Sequence, residues 1–330
     1  MASMTHDSAK LQRNARTVLL VRPTFQALED LMSKSFHILK AWESPLPLPE
    51  FLAAQAGAVR ALLIRGNGSV SVDAKLLSSL PSLRLIVTNS VGVDFIDMAE
   101  CARRGISVAN AGNVLTEDVA EYAFGLLMDV LRRISAANRY VSAGLWPLTD
   151  DFPLGSKLGG KRVGIVGLGR IGSAIAKRLD AFGCIISYHS RKQKPSSYTF
   201  YPNARSLAAH NDILVVCCAL NNNSYHIIDR DVMEALGKEG IIINVGRGAL
   251  IDEDELVRRL VQGEIGGAGL DVFENEPAVP KELFSMDKVV LSPHRAVFTH
   301  ESFADHFQLM LDNLEAFFSN RPLISEVTEI

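Results

Sequence analysis

A glycine-rich turn between a short apolar run and an alanine-rich run constrains this chain more than any other stretch. The segment VGIVGLGRIGSAIAKRL, residues 163–179, carries the spacing GxGxxG. Gly167 permits a tight turn, Gly169 lets the backbone approach a pyrophosphate, and Gly172 lets a helix pack closely on a strand. N–H groups at the start of that helix attract phosphate. The predicted cofactor-binding residues here are Gly167, Leu168, Gly169, Arg170, Ile171 and Gly172.

The loop after the next strand decides which dinucleotide fits. NAD-binding proteins usually place a carboxylate there to accept bonds from the ribose hydroxyls. Here the run CIISYH, residues 184–189, leads into Ser190, Arg191 and Lys192, and no acidic residue occurs from 185 to 201. Arg191 can grip a 2′-phosphate through its planar fork, Lys192 adds a point charge, and Ser190 adds a hydrogen bond. An ordinary solvated loop could have the same basic sequence, but its spacing from the glycine-rich turn favours NADP(H) as the cofactor.

Short β-branched runs alternate with amphipathic or Ala/Leu-rich runs, which is typical of βα units and a parallel sheet. The alternation occurs twice, and the runs are nearly continuous in apolar residues, as in strands buried on both faces. With 330 residues, the α/β chain is long enough for two domains. The predicted strands are 17–23, 36–42, 59–66, 83–90, 106–112, 162–167, 184–189, 212–219, 241–246, 266–273 and 288–294.

Two helical patterns complete this picture. A run from Thr116, with apolar residues almost all round over 119–131, predicts a buried helix, either between the two domains or against another subunit. The segment 302–318 repeats apolar residues at helical spacing. We expect this last helix to pack back on the first set of strands.

Composition excludes several function classes. The formal net charge is −3, so no overall field favours nucleic acid or an anionic membrane. No uncharged apolar run approaches the ~20 residues of a membrane span. The first sixteen residues are polar without an apolar signal region, and the chain ends VTEI rather than in a peroxisomal signal. The four cysteines lie in apolar stretches without metal-site spacing. We expect a cytoplasmic protein without a nucleic-acid, membrane or metal partner.

Three later stretches place polar residues after predicted strands, where ligands bind in open parallel sheets. They are INVGRGALIDEDEL (243–256), GLDVFENEP (269–277) and LSPHRAVFTHES (291–302). With GLGRIG, their order and spacing resemble the D-isomer-specific 2-hydroxyacid dehydrogenases over nearly the whole chain. The resemblance implies a flavodoxin-like α/β substrate-binding domain of residues 1–115 plus 299–330. Residues 116–298 would then form a Rossmann domain, a doubly wound parallel sheet that binds NADP(H).

The resemblance also implies a catalytic triad of Arg247 in NVGRG, Glu276 in ENEP and His294 in SPH. These residue types suit the reduction of a 2-oxo acid. An imidazolium can give a proton to the carbonyl oxygen, and a carboxylate can orient the ring. A guanidinium can bind the substrate carboxylate and the carbonyl oxygen. Singly, such residues are more often surface charges or turn residues, so their joint occurrence in these motifs carries the prediction.

Further contacts are implied by counterparts in the family. The stretch NSVGVDFID, residues 89–97, corresponds to a loop whose backbone N–H groups hold the substrate carboxylate. Arg65-Gly66-Asn67 forms either an opposite wall of that site or an ordinary solvated loop. The predicted substrate-binding residues are Val91, Gly92, Arg247 and His294. The further predicted cofactor-binding residues are Cys218, Val245, Gly246 and Asp271.

The basic loop favours the NADPH-linked branch that reduces glyoxylate and hydroxypyruvate, particularly its plant-type cytosolic form, with a role in photorespiration. A hydroxyphenylpyruvate reductase and an NAD(H)-sensing transcriptional corepressor on the same fold stay open as alternatives. In the run Arg295-Ala296-Val297-Phe298 after His294, Arg295, Val297 and Phe298 replace residues that are commonly small in the family, so a different pocket shape is expected. The family typically pairs through its cofactor domain, and we therefore expect a homodimer.

Overall fold

A computed structural model describes residues 16–66, 70–149 and 151–328. Residues 1–15 of the polar N-terminal segment, Asn67 and the last two residues of VTEI lie outside the described residues. The chain divides into two compact units, residues 1–115 with 299–330 and residues 116–298. Each unit is built on a sheet whose neighbouring strands pair in parallel. This arrangement confirms the predicted α/β class.

The first unit has the strand order β2-β1-β3-β4-β5, which is the flavodoxin-like order. Its strands β1, β3 and β4 are buried along their whole length, as their continuous apolar runs require. The strands are β1 (Thr17–Leu20), β2 (His37–Lys40), β3 (Ala61–Ile64), β4 (Leu85–Thr88) and β5 (Ser107–Ala109). The helices are α1 (Gln26–Met32), α2 (Leu48–Gln55), α3 (Ala74–Ser78), α4 (Met98–Arg103) and α11 (His300–Phe318).

Helix α11 closes the core of this first unit although it comes from the far end of the sequence. Its Met310 and Leu314 are buried in one cluster with residues of β1, β3 and β4. The side chain of Asn313 accepts bonds from the backbone N–H groups of Ile324 and Ser325. The chain after α11 then runs beside β5, where the Val327 N–H donates to the Val108 carbonyl. The packing expected for residues 302–318 is confirmed.

The second unit has the strand order β12-β11-β10-β9-β6-β7-β8. Counted from β6, this is the Rossmann order 3-2-1-4-5-6 with one strand added beyond it. The strands are β6 (Arg162–Val166), β7 (Ile185–His189), β8 (Thr199–Tyr201), β9 (Ile213–Val216), β10 (Ile241–Asn244), β11 (Gly267–Leu270) and β12 (Val289–Leu291). The helices are α5 (Thr116–Arg132), α6 (Ile134–Ser142), α7 (Arg170–Ala181), α8 (Ala204–Ala208), α9 (Arg230–Leu236) and α10 (Glu253–Gln262).

All eleven predicted strands are present, and each is shorter than predicted at one end or at both. Strand β8 was not predicted. It has only three residues, lies at the sheet edge and is partly exposed, so it lacks the continuous apolar signal of the other strands.

The sequence predicts that helix α5 is buried on nearly all sides, and the structure differs in part. Seven of its residues are buried, including Leu126, Leu127 and Leu131. Its Glu117 and Glu121 side chains are 69% exposed, and both pair with Arg178 of α7. The helix therefore buries one broad face within its unit and keeps a charged face. Across the described ranges, no helix has the length and apolar character needed to cross a bilayer.

Candidate active site

The topology of the second sheet brings three motifs to one edge. Strands β10, β11 and β12 are parallel neighbours, with Asn244 opposite Leu270 and Leu270 opposite Leu291. The residues that follow these strand ends therefore emerge side by side. The segments concerned are NVGRG, LDVFENEP and LSPH, which hold the predicted triad.

The glycine turn after β6 has little spare room at two of its three glycines. Gly167 has φ +104°, in the region that favours glycine, and an added Cβ would lie 2.7 Å from the Cys218 backbone. A Cβ on Gly172 would lie 2.1 Å from the Gly167 carbonyl oxygen. A Cβ on Gly169 would meet no atom of the described residues within 4 Å. Gly169 thus leaves open the space that a pyrophosphate approach requires, as the motif predicts.

Helix α7 begins directly after that glycine. Its N-cap, Gly169, makes no side-chain cap bond, so the first turn presents backbone N–H groups. Leu168 and Ile171 pack in the hydrophobic core beside the turn. Contacts from these two residues to a dinucleotide would therefore come from their backbone. Arg170 is exposed in the first turn of the helix.

The basic loop begins where β7 ends. The Ser190 hydroxyl donates to the Lys192 carbonyl at 2.7 Å, which closes the loop, and Arg191 and Lys192 are exposed. The Gly167 N–H donates to the His189 carbonyl at 2.8 Å. This bond joins the glycine turn to the base of the loop. The predicted phosphate-binding residues therefore lie at adjacent strand ends, as β6 and β7 are neighbours.

Cys218 and Gly246 lie next to the same turn. A Cβ on Gly246 would lie 3.2 Å from the Cys218 carbonyl oxygen, so the loops after β9 and β10 touch. Burial raises the pKa of the Cys218 thiol to about 11, which keeps it neutral. Val245 is buried, with its N–H bonded to the Val216 carbonyl. Its side chain therefore belongs to the core, and any cofactor contact would be made by its backbone.

His294 and Glu276 form a direct pair. The Nδ1 atom of His294 lies 2.9 Å from Oε2 of Glu276, and both side chains are about a third exposed. The other carboxylate oxygen, Oε1, accepts the Phe273 N–H at 3.1 Å. Burial would raise the pKa of Glu276, but the bond and charge of His294, the Phe273 N–H and the charge of Arg247 outweigh burial. The pKa of Glu276 is therefore lowered, and the carboxylate is held charged beside the imidazole.

Arg247 is held by the loop that follows β10. The Asn244 side chain donates to the Arg247 carbonyl at 2.9 Å and accepts the Gly246 N–H at 3.0 Å. The Arg247 guanidinium donates to the Gly246 carbonyl at 2.8 Å. Because its positive charge acts on Glu276, the structure groups all three predicted triad residues.

Asp271 is buried beneath the segment that carries His294. Its carboxylate accepts the Ser292 hydroxyl at 2.6 Å and the backbone N–H groups of Arg295 and Ala296 at 2.7 and 3.0 Å. Burial raises its pKa even against these donors and the nearby His294. The Ser292 hydroxyl also lies 2.6 Å from the Tyr122 hydroxyl of α5. Asp271 therefore fixes the turn after β12, a role that its prediction as a cofactor-binding residue did not include.

His294 itself has φ +55°, unusual for a residue with a side chain. Its N–H donates to the Asp271 carbonyl at 2.8 Å and to the Ser292 carbonyl at 3.1 Å. Strain of this kind persists where the surrounding structure holds it, and it is common at functional sites. Beyond His294, the Arg295 guanidinium lies 4.1 Å from the centre of the Phe298 ring.

Some residues of this site were not predicted. A Cβ on Gly248 would lie 1.9 Å from the carbonyl carbon of Phe273, so the arginine loop rests directly on the loop that carries Glu276. The glycine after NVGR is the sequence signal for that contact. Tyr122 and Ser292 had no signal, because their hydrogen bond joins positions 170 residues apart.

The predicted substrate loop belongs to the first unit and follows β4. The Asn110 amide donates to the Val91 carbonyl at 2.7 Å, and the Ser90 hydroxyl donates to the Gly92 carbonyl at 2.5 Å. The carbonyl groups of Val91 and Gly92 are thus held by side chains. Arg65, after β3, stacks 5.0 Å from the centre of the Phe25 ring, which differs from a solvated loop charge. Substrate binding by this loop stays a prediction.

The glycine turn, the open face at Gly169, the uncapped helix and the basic loop fit a phosphate-bearing dinucleotide. The polar residues at the ends of β10, β11 and β12 fit proton transfer next to it. Together the fold and these sites define a nicotinamide-dinucleotide-dependent oxidoreductase.

Comparison with known proteins agrees with this class. Residues 124–296 match the model of the D-isomer specific 2-hydroxyacid dehydrogenase, NAD binding domain. The chain is 56% identical over 313 residues to glyoxylate/hydroxypyruvate reductase HPR3 of Arabidopsis thaliana, covering 94% of this chain and 96% of the relative. It is 47% identical over 311 residues to hydroxyphenylpyruvate reductase of Plectranthus scutellarioides, covering 94% and 98%.

A solved structure is similar over the same extent. NADPH-dependent glyoxylate/hydroxypyruvate reductase SmGhrB from Sinorhizobium meliloti, in complex with NADP and malonate, superposes with a TM-score of 0.87 at 35% identity. The match covers 94% of this chain and 96% of that one. The chain belongs to the D-isomer-specific 2-hydroxyacid dehydrogenase family. The resemblance seen in the motifs is confirmed.

Proposed function

We propose that the protein is an NADPH-dependent reductase of small 2-oxo acids, converting glyoxylate to glycolate and hydroxypyruvate to D-glycerate. The observation that carries the cofactor preference is the loop Ser190-Arg191-Lys192, which presents two exposed cations and no carboxylate. The relatives named for glyoxylate and hydroxypyruvate, and a structural neighbour named as NADPH-dependent, support this choice.

When bound, NADPH supplies the hydride that reduces the carbonyl carbon. The residues of the glycine turn and the basic loop would hold its phosphates. Arg247 binds the substrate carboxylate and the carbonyl oxygen, on which negative charge develops during reduction. His294 donates a proton to that oxygen. Glu276, 2.9 Å from Nδ1 of His294, fixes the ring and favours its charged form, which leaves Nε2 for the substrate.

The substrate loop at Val91 and Gly92 is proposed to hold the carboxylate through backbone N–H groups. Its carbonyls are committed to Asn110 and Ser90, which supports that orientation. We further propose a cytoplasmic homodimer without a nucleic-acid or membrane partner, acting in photorespiration. Sedimentation of the purified protein and imaging of a fluorescent fusion test the dimer and the compartment.

A second candidate function is hydroxyphenylpyruvate reductase, favoured by the relative of that name at 47% identity. It requires room for an aromatic ring in the pocket. Arg295 and Phe298, which lie together after His294, occur where the family commonly has small residues. Because these side chains change the shape of the predicted pocket, both the small 2-oxo acids and 4-hydroxyphenylpyruvate are candidate substrates.

A substrate panel separates these functions. NADPH oxidation is measured with glyoxylate, hydroxypyruvate and 4-hydroxyphenylpyruvate. We expect the highest kcat/KM with one of the two small acids. A dominant aromatic substrate would support the second candidate, and no turnover with any of them would favour a dinucleotide-sensing corepressor.

One variant tests the assigned chemistry. His294→Asn is expected to lose most of kcat while NADPH still binds, as followed by the quenching of protein fluorescence. If turnover stays within about threefold of the unmodified protein, His294 is not the proton donor.

A further inference from the structure

The loop that carries Glu276 contains a second carboxylate with its own histidine partner. The Nε2 atom of His226 lies 3.0 Å from Oε1 of Glu274, two residues before Glu276. The Tyr225 hydroxyl donates to the same oxygen at 3.2 Å. The rings of Tyr225 and His226 stack with their centres 4.0 Å apart. The side chains of Glu274 and His226 are both about three-quarters buried.

His226 is bonded both to the arginine loop, which carries Arg247, and to the loop that carries Glu274 and Glu276, which we call the acidic loop. Its N–H donates to the Ala249 carbonyl at 2.9 Å, two residues after Arg247. The next residues continue this pairing, since the Ile228 N–H donates to Leu250 and the Asp252 N–H donates to Ile228. His226 has φ +49°, a left-handed conformation that is strained for a residue with a side chain. The surrounding bonds hold it there.

In the acidic loop, Glu274, which is bonded to His226, lies only two residues from the catalytic Glu276. Gly248 leaves no space between the arginine loop and the Phe273-Glu274 peptide. The Glu274 N–H donates to Oε2 of Glu253, at the start of α10. The Phe273 N–H donates to Glu276 itself. A shift of the Glu274 peptide therefore moves a donor of Glu276.

We propose that Glu274 and His226 are positioning residues that set the place of Glu276 and, through it, the orientation of His294. The proposal rests on the catalytic role assigned to that pair under the proposed function. His226 is suited to this role because it contacts both loops: its ring is bonded to Glu274 of the acidic loop, and its backbone N–H is bonded to Ala249 of the arginine loop. Tyr225 stacks on the ring and shares its acceptor, so the histidine has one defined rotamer.

The charged residues around Glu274 and His226 support an orienting role for these two residues rather than a catalytic one. Glu274 faces His226 and Tyr225 on one side and Glu253 on the other, and Glu276 lies on the same loop. Burial raises the pKa of Glu253, the N–H bond from Glu274 acts against this, and the charges of Glu274 and Glu276 raise the pKa further. Three carboxylates thus share a small region, and one of them, Glu274, is held by the side chains of His226 and Tyr225.

The kinetic test compares His226→Leu, which removes the donor, with His226→Gln, which keeps an N–H donor at similar reach. We expect His226→Leu to lower kcat about tenfold while the Kd for NADPH stays within twofold. His226→Gln should recover most of that loss. A loss that merely follows a fall in Tm, equally in both variants, would assign the pair a structural role and overturn the proposal.

A double-mutant cycle locates the effect. If His226 acts through Glu276, adding His226→Leu to Glu276→Gln should lower kcat by no more than about twofold further. A further tenfold loss would show that His226 acts independently of Glu276, and the proposal would be wrong.

One measurement does not need turnover, so it separates this inference from the proposed function. The pKa of the Glu276 carboxyl can be followed by carbon-13 NMR. We expect His226→Leu to raise it toward 4.5, because the donors that lower it are displaced. An unchanged titration would overturn the positioning role even in a protein that shows no activity with 2-oxo acids.

Discussion

Glu276 holds its two carboxylate oxygens on different partners, one on Nδ1 of His294 at 2.9 Å and one on the Phe273 N–H at 3.1 Å. The backbone donor keeps the carboxylate from turning away from the ring. We therefore expect Glu276→Gln to lower kcat by about 10²-fold, within the usual range for a group that supports acid–base catalysis. Steady-state kinetics with NADPH and glyoxylate measure it, and Asn275→Ala, one exposed position away, serves as the control.

The same carboxylate gives a signature in stability. Its pKa is lowered in the folded protein, so it contributes stability above the unfolded value of 4.5. That contribution is lost as the pH falls through the lowered folded value. Urea unfolding of the unmodified protein and of Glu276→Gln should therefore differ above about pH 4.5 and converge in stronger acid. A difference that grows with acid would contradict the lowered pKa.

The basic loop predicts a change in cofactor preference. Because a charge-assisted bond contributes about 1.5–3 kcal/mol, Arg191→Ala should reduce the ratio of kcat/KM for NADPH to that for NADH by about tenfold or more. Gln193→Ala, which removes a neutral side chain of the same exposed loop, should leave the ratio unchanged. Equal efficiencies of the two cofactors in the unmodified protein would refute the NADPH assignment.

The glycine turn offers a matched pair of variants. Gly172→Ala brings a methyl group against the Gly167 carbonyl, so we expect a lower Tm and loss of dinucleotide binding. The methyl group of Gly169→Ala would lie more than 4 Å from every atom of the described residues, and the backbone φ there is −88°, so this variant should fold with an unchanged Tm. Its NADPH Kd should nevertheless rise about tenfold or more, because a methyl group would stand where the pyrophosphate approaches. Thermal unfolding and NADPH titration test both variants, and unaltered affinity in Gly169→Ala would argue against this turn as the phosphate site.

The buried side chain of His306, in α11, should make the folding stability of the first unit fall in acid. Burial lowers its pKa to about 4, and its Nε2 atom has no hydrogen-bond partner within the described part of the chain. An unfolded histidine titrates near 6.5, so the unfolded state binds the extra proton first as the pH falls. Stability is therefore lost between about pH 6.5 and pH 4, by up to about 3 kcal/mol. His306→Leu should remove that slope in urea unfolding, whereas His300→Gln, an exposed position of the same helix, should keep it.

The sequence predicted most of the framework because parallel βα units leave continuous apolar runs and glycine turns in the text. Gly167, Gly172 and the basic loop occupy the places that their motif predicts. The failures are instructive. Strand β8 is too short and too exposed to show a run of apolar residues. Helix α5 has a charged face, although the apolar residues in its sequence predict burial on nearly all sides.

The connections inside the site were beyond prediction. His226 lies outside every motif of the sequence analysis, yet its backbone and its ring contact loops 23 and 48 positions away along the chain, respectively. The bond of Tyr122 to Ser292 likewise depends on how α5 lies against β12. Periodicity and motif spacing specify which strand ends are neighbours. They do not specify which side chains meet above those ends, since that depends on rotamers and loop contacts.

The interrupted path of the chain has a consequence for biosynthesis. The second unit is one continuous segment, whereas the core of the first unit is completed by Met310 and Leu314 of α11. A chain emerging from the ribosome therefore holds all of the Rossmann strands before the flavodoxin-like core can close. The dinucleotide-binding unit can mature first, while residues 16–115 wait with an uncovered apolar surface for the last helix. Premature termination within α11 would leave a cofactor-competent but aggregation-prone protein.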